Sequence, residues 1–236
     1  MLELLRKTLL KHQKSRWIKM SATWDEGGMG LTKVVDTLVD EVNCNTESVI
    51  VDLGSGSGQL TIPLAKRSKS VYAVDISPPM LEQLVDRAGQ QGIKNIKPVA
   101  GSIEEVKFDP SSVDFVVTNY ALHHLLDSDK SLIAKSIFGW LKPGGEVIIG
   151  DMMFGRGSDS RDREIIKGKL TALIKRGPGG WLRIIKNVFR YSLRFSERPV
   201  PIETWVENLT NAGFTDIKYE KIVAEAVIMS ANKPKQ

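Results

Sequence analysis

Along the chain, short β-branched runs alternate with stretches of helical period. Val49-Ile50-Val51-Asp52-Leu53 is almost continuously apolar and stops at Gly54. That is the mark of a strand buried on both faces of a parallel sheet. Val71–Asp75, Ile96–Ala100, Val113–Thr118 and Glu146–Gly150 repeat the pattern. The stretches between them predict helices over 31–42, 58–67 and 129–140, with a further helix opened by Ser77-Pro78. Proline suits a first helical turn because its missing N–H has no partner there anyway. Leu141-Lys142-Pro143-Gly144-Gly145 reads as a turn. Strands alternating with helices predict an α/β fold, doubly wound around a mostly parallel seven-stranded sheet.

The alternation stops near residue 152. Two helical stretches, 161–175 and 181–195, form an insertion that Pro199 and Pro201 bring to an end. A helix over 202–212 halts at Gly213, a favourable residue just past a helix end, and strands follow at 215–222 and 224–230. The expected organisation is a basic N-terminal helix and linker (1–30), a core (31–151), a basic helical lid (152–200) and a C-terminal αββ unit (201–236).

Composition narrows the class. In 236 residues, 42% hydrophobic and 26% charged side chains suit a globular chain and argue against disorder. Cys44 is the single cysteine, which excludes an intramolecular disulfide framework and a multi-cysteine metal site. No apolar run approaches the roughly 20 residues of a membrane-spanning helix, and the basic start lacks a secretory apolar block. A cytoplasmic location and no metal are therefore expected.

The net charge of +5 is unevenly spread. Residues 1–20 set Arg6, Lys7, Lys11, Lys14, Arg16 and Lys19 against Glu3, and residues 156–198 set twelve Lys/Arg against Asp159, Asp162, Glu164 and Glu197, leaving the body acidic. On a helix over 181–195, Trp181, Ile184, Ile185, Val188, Phe189 and Phe195 share one face. Arg183, Lys186, Arg190 and Arg194 cluster on the other. Such a helix serves either as a lid over the strand ends or as an interfacial element on an anionic membrane surface. Residues 1–20 repeat the theme less cleanly.

Chemistry concentrates in the loop after the first strand, Asp52-Leu53-Gly54-Ser55-Gly56-Ser57-Gly58. In open α/β sheets ligands sit at the carboxyl ends of the strands. Glycines there let main-chain N–H groups approach a ligand closely. Asp75 ends the second strand, where a carboxylate accepts from both hydroxyls of a ribose. The loop reads GxGxG rather than GxGxxG, and Asp52 precedes it. A carboxylate there would repel a pyrophosphate but suits an ammonium group, which S-adenosylmethionine (SAM) carries beside its sulfonium.

On these residues the chain resembles the class I SAM-dependent methyltransferases. VIVDLGSGSGQL (49–60), VYAVDISPPML (71–81), AGSIEEV (100–106), VDFVVTNYALHHL (113–125) and LKPGGEVII (141–149) are similar to successive motifs of that superfamily. The closest flavour is its small-molecule and quinone-biosynthesis C-methyltransferase type. The resemblance implies that Gly54, Ser55 and Gly56 flank the methionine part of SAM, that Asp52 fixes its ammonium and that Asp75 binds the ribose. It places Ile76 and Met80 beside the adenine, Ser102 at its amino group, Ile103 on its face, and the Asn119 main chain near the ammonium. Ser102 stands where the family often has Asp. Trp24 either covers the cofactor or plugs the joint between the N-terminal helix and the body.

Methyl transfer needs a general base only where the acceptor carries a proton as it attacks. Tyr120, His123 and His124 follow the fourth strand and are the candidates, with S-adenosylhomocysteine (SAH) the expected product. The structural alternative is that the histidines cap and pack the next helix. Two basic amphipathic segments beside one site favour a small acceptor that is hydrophobic or membrane-associated, such as a lipid or a quinone. An RNA methyltransferase is the alternative reading of those segments. The chain offers no RNA-binding module, and Asn119-Tyr120 lacks the Pro-Pro of nucleobase-amine methylating enzymes, so no nucleic-acid partner is expected. A non-catalytic membrane-surface protein of this fold is the third reading.

Overall fold

A computed structural model describes residues 29–155, 160–174 and 197–235, together with Thr8, Lys14, Ser15, Ile18 and Lys19. The elements run α1 (Met29–Glu41), β1 (Val49–Leu53), α2 (Thr61–Ala65), β2 (Ser70–Asp75), α3 (Pro78–Gln90), β3 (Ile96–Ala100) and β4 (Val113–Asn119). After a short 3-10 turn (Leu122–His124) come α4 (Asp127–Trp140), β5 (Leu141–Met152), α5 (Ser160–Ile174), α6 (Ile202–Ala212), β6 (Thr215–Lys221) and β7 (Ala226–Asn232). The strand order is β3-β2-β1-β4-β5-β7-β6. The first five strands pair in parallel, and β7 runs antiparallel to both neighbours. The chain reverses its winding direction between β1 and β4, the place where such sheets bind ligands.

Both sheet faces are covered, which is why the strands show no simple polar alternation. Val51, Leu53, Val116, Val147, Ile149, Val227 and Met229 face the cluster that includes Ile133 and Ile137 of α4 and Trp205 and Leu209 of α6. Their neighbours Ile50, Val117, Ile148 and Ile228 face Val34 and Leu38 of α1 and Leu64 of α2. The period of two is therefore present, split between two apolar layers. Asp52 shares the parity of Ile50 and lies on the α1/α2 side.

Three boundaries differ from the sequence expectation. The helix expected over 58–67 is only Thr61–Ala65, because Gly56 and Gly58 hold φ of +53° and +94°, values outside a right-handed helix. Asn95 closes its far end, its amide donating to the carbonyls of Ala65 and Ser68. The turn expected at 141–145 lies inside β5. Leu141 pairs with Val113 and Glu146 with Phe115, with an irregularity between the two pairs. Gly144, at φ +80°, takes up the extra length. The last strand reaches Asn232 rather than 230. The helix over 202–212 ends as expected, with Gly213 left-handed at φ +105°.

A helix does follow β5, over Ser160–Ile174. The helix expected over 181–195 and most of 1–20 lie outside the described residues. Among the described residues no helix is long and apolar enough to cross a membrane.

Trp205 is the largest fully buried side chain among the described residues. Trp205→Ala should lower the unfolding free energy by about 3–5 kcal/mol, measured as a shifted urea midpoint with an unchanged slope.

Candidate cofactor-binding and active site

The loop after β1 is fixed by the end of β2. Gly54 and Ser55 both donate their N–H to the Val74 carbonyl, at 2.8 and 2.9 Å. Gly56 donates to Asp75 Oδ2 at 2.9 Å, and Ser77 N–H donates to Asp75 Oδ1 at 2.8 Å. Gly54 sits at φ +77°, and a Cβ there would meet the Ala121 Cβ at 2.4 Å. The loop thus depends on a bare Cα at 54 and a small residue opposite.

An open cleft of about 660 Å³, solvent at its mouth included, lies over these strand ends. Of the residues expected at the cofactor, Gly54, Gly56, Asp75, Ile76, Met80, Ser102, Ile103 and Asn119 line it. Tyr120 and His124 line it beside Ala121 and Leu125. Ser55 and Asp52 are buried and do not line it. His123 is buried behind the lining. Trp24 lies outside the described residues.

Hydrogen bonding marks this region as built for a polar ligand. Asp52 Oδ1, Ser55 Oγ, Ser77 Oγ and Asn119 Oδ1 are buried with no hydrogen-bond partner among the described residues. Buried polar atoms are nearly always paired, so four orphans around one loop fit a ligand rich in donors. The other Asp52 oxygen accepts from the Thr61 hydroxyl at 2.6 Å. Ser102 donates its hydroxyl to Glu105 Oε2 at 3.0 Å. Its oxygen therefore keeps acceptor capacity, which an adenine amino group requires.

Burial dominates the electrostatics. It pushes the Asp52 carboxyl up to about 7; the Thr61 hydrogen bond opposes the rise and the Asp75 charge adds to it. Asp75 is also raised by burial, against the N–H donors of Ser77 and Gly56. Tyr120 is held well above the usual phenol range by burial, then by the charges of Glu225 and Asp151, so it stays a neutral hydroxyl. It sits at φ +49°, a conformation rare for a bulky residue and concentrated at functional sites.

Several residues of the site were not expected from sequence. Glu104, Ala121 and Leu125 line the cleft. Asp151, at the end of β5, binds the His123 main chain and ring. Arg198 donates from its main-chain N–H to the His123 carbonyl and from Nη1 to the His124 carbonyl. Asp151 was discoverable by the logic that singled out Asp75, an acid at the carboxyl end of a buried strand. Arg198 carried no local signal.

Residues 50–145 match a family model described as a methyltransferase domain. Over these residues the chain is similar to methyltransferase domains. An uncharacterised methyltransferase of Geobacillus thermodenitrificans is 26% identical to it over 148 residues, 63% of this chain and 62% of the relative. The match thus spans less than two thirds of that relative's length. Among solved structures, the YcgJ protein of Bacillus subtilis superposes with a TM-score of 0.65 at 14% identity, over 86% of this chain and 98% of the other. A Haemonchus contortus phosphoethanolamine N-methyltransferase, solved with phosphoethanolamine and SAH, superposes with a TM-score of 0.56 at 22% identity, over 66% of this chain and 34% of the other. The methyltransferase domain includes the glycine loop, Asp75, Ser102 and the cleft-lining turn after β4.

Asp52 ties the stability of this domain to pH. Its folded-state value lies above its ordinary 3.8. Its stabilising contribution is therefore full below 3.8 and is lost progressively as pH rises from there through about 7. Asp52→Asn removes this dependence. The melting temperature of the wild type should fall relative to the variant between pH about 4 and about 8; scanning calorimetry across that range checks it.

Proposed function

We propose that the protein transfers a methyl group from SAM to a small acceptor with an apolar body. The observation that carries the reading is the cleft, where the glycine loop, Asp75 and Ser102 meet beside unpaired acceptors. Bound SAM supplies a methyl group already activated on a sulfonium. The chain's task is to hold that group, align the acceptor and exclude water.

Asp75 has a free lone pair on each oxygen for the ribose hydroxyls, since each already takes only one N–H. Ile76, Met80 and Ile103 offer an apolar slot for the adenine, with Ser102 at its edge. The unpaired Asp52 oxygen and the Asn119 carbonyl are acceptors for an ammonium. A ligand cation near Asp52 favours its ionised form, so cofactor binding should release a proton around neutrality. Binding should therefore strengthen as pH rises through about 7.

His124 and Tyr120 mark the acceptor end, with Leu125 and Ala121 beside them. His124 has the chemistry to take a proton from the acceptor near neutral pH, and neutral Tyr120 to orient it. The apolar neighbours and the basic segments 1–20 and 181–195 support a lipid- or quinone-like acceptor reached at a membrane surface. A phosphorylated amine is the competing acceptor, favoured by the likeness to phosphoethanolamine methyltransferases.

Titration calorimetry with SAH tests the cofactor. Asp75→Ala should weaken binding by about 1–3 kcal/mol, the cost of leaving buried hydroxyls unpaired. An unchanged affinity would show the ribose to be misplaced. SAH release over a panel of quinols, fatty acids, phospholipid vesicles and phosphoethanolamine tests the acceptor. Turnover is expected with an apolar member, and turnover with phosphoethanolamine alone would overturn that choice. Anionic vesicles should co-sediment the protein, and reversing Arg183, Lys186, Arg190 and Arg194 to Glu should release it. Sedimentation indifferent to the reversal would leave that segment no role at the membrane.

A further inference from the structure

The main chain of the turn after β4 is held from three directions. Asp151, fully buried, accepts from His123 N–H through Oδ2 at 2.8 Å and from Met152 N–H through Oδ1 at 2.7 Å. The N–H of Arg198 donates to the His123 carbonyl at 2.6 Å, and its Nη1 donates to the His124 carbonyl at 3.3 Å. Lys130, also fully buried, donates from Nζ to the Leu125 carbonyl at 2.8 Å. Burying three charges around one short turn is expensive unless each is matched. Here each meets polar groups of the turn, which leaves its shape no freedom.

Asp151 also reaches a ring. Its Oδ1 lies 2.5 Å from His123 Nδ1. A carboxylate oxygen here accepts, so the ring donates to it from Nδ1. The His123 ring in turn rests against the His124 ring, with centroids 3.9 Å apart and planes tilted by 48°. It meets Tyr120 nearly edge-on, at 6.4 Å and 84°. His124 and Tyr120 line the cleft, and His123 stands behind them.

We propose that Asp151 is a positioning residue for His124. Through the His123 ring it sets the plane and place of the cleft-facing imidazole, while Arg198 holds the same turn by its carbonyls. This rests on the reading of the cleft as a SAM site with His124 at the acceptor. It assigns His123 the part of a fixed support rather than a base. A carboxylate needed only as a staple would use the two main-chain donors; the bond to Nδ1 is what couples it to the imidazoles. His123→Gln separates the two roles, because it removes the ring and leaves Asp151 its two main-chain donors. In Asp151→Asn the amide nitrogen faces either the His123 N–H or the Met152 N–H and Nδ1, so the main-chain grip is disturbed together with the ring.

The chain has three histidines, so its imidazole signals are assignable by nitrogen-15 NMR with His12→Gln, His123→Gln and His124→Gln. In the wild type His123 should be protonated at Nδ1. In Asp151→Asn and in His123→Gln the His124 ring resonances should move, with SAH affinity by calorimetry at the wild-type value. A wild-type His123 protonated at Nε2 alone, or His124 signals unmoved in Asp151→Asn, would overturn the proposal. If Asp151→Asn does not fold, the wild-type tautomer and His123→Gln decide: His124 signals unmoved by His123→Gln sink it equally. A wild type that binds no SAH overturns the cofactor reading instead, whatever the tautomer of His123.

Discussion

The site depends on the grip that the end of β2 exerts on the loop after β1. Two hydrogen bonds to the Val74 carbonyl and one to the Asp75 carboxylate set the path of Gly54, Ser55 and Gly56. The pairing of Leu53 with Val74 brings these groups level. A slip of one residue between the strands would exchange the faces of every side chain and point Asp75 away from the loop. The register is protected because Val51 and Leu53 belong to one apolar layer and Ile50 to the other. Core packing on both faces thus fixes a polar site at the carboxyl ends of the strands, and the cleft is a by-product of correct strand pairing.

The same packing creates the electrostatics. Asp52 projects toward the α1/α2 layer with the parity of Ile50, and burial there opposes its ionisation. Asp75 is less costly to ionise because two main-chain N–H groups face its oxygens. The pair therefore divides the work: one carboxylate is ready as an acceptor, and the other waits for a cation to complete it.

Much of this was legible in sequence because the signals are local. Val49–Leu53 and Val71–Asp75 announce buried strands, and an acid at a strand end followed by glycine or by Ser-Pro announces a ligand edge. Eight of the residues expected at the cofactor line one cleft. What was not legible depends on distant partners. The late start of α2 follows from left-handed glycines at 56 and 58. The displaced start of β5 follows from Leu141 pairing with Val113. Ala121 matters because it faces Gly54 across the cleft floor, and no spacing rule reveals such a contact. His123 and His124 are adjacent in sequence and read as equivalent, yet one faces the cleft and the other a buried carboxylate.

This asymmetry separates two halves of the site by the way each is held. The cofactor half is set by strands β1 to β3 and their loops, all within the matched domain. The other side of the cleft hangs on the turn after β4, whose carbonyls are taken by Arg198 and Lys130 and whose N–H is taken by Asp151. Arg198 arrives from beyond α5, more than 70 residues along the chain. A segment that returns to bind the main chain of both histidines cannot vary in position without moving that side of the cleft, while the glycine loop would stay where β2 holds it. The two sides are therefore held by different devices, one by strand register and the other by Asp151, Lys130 and Arg198 reaching the turn from elsewhere in the chain.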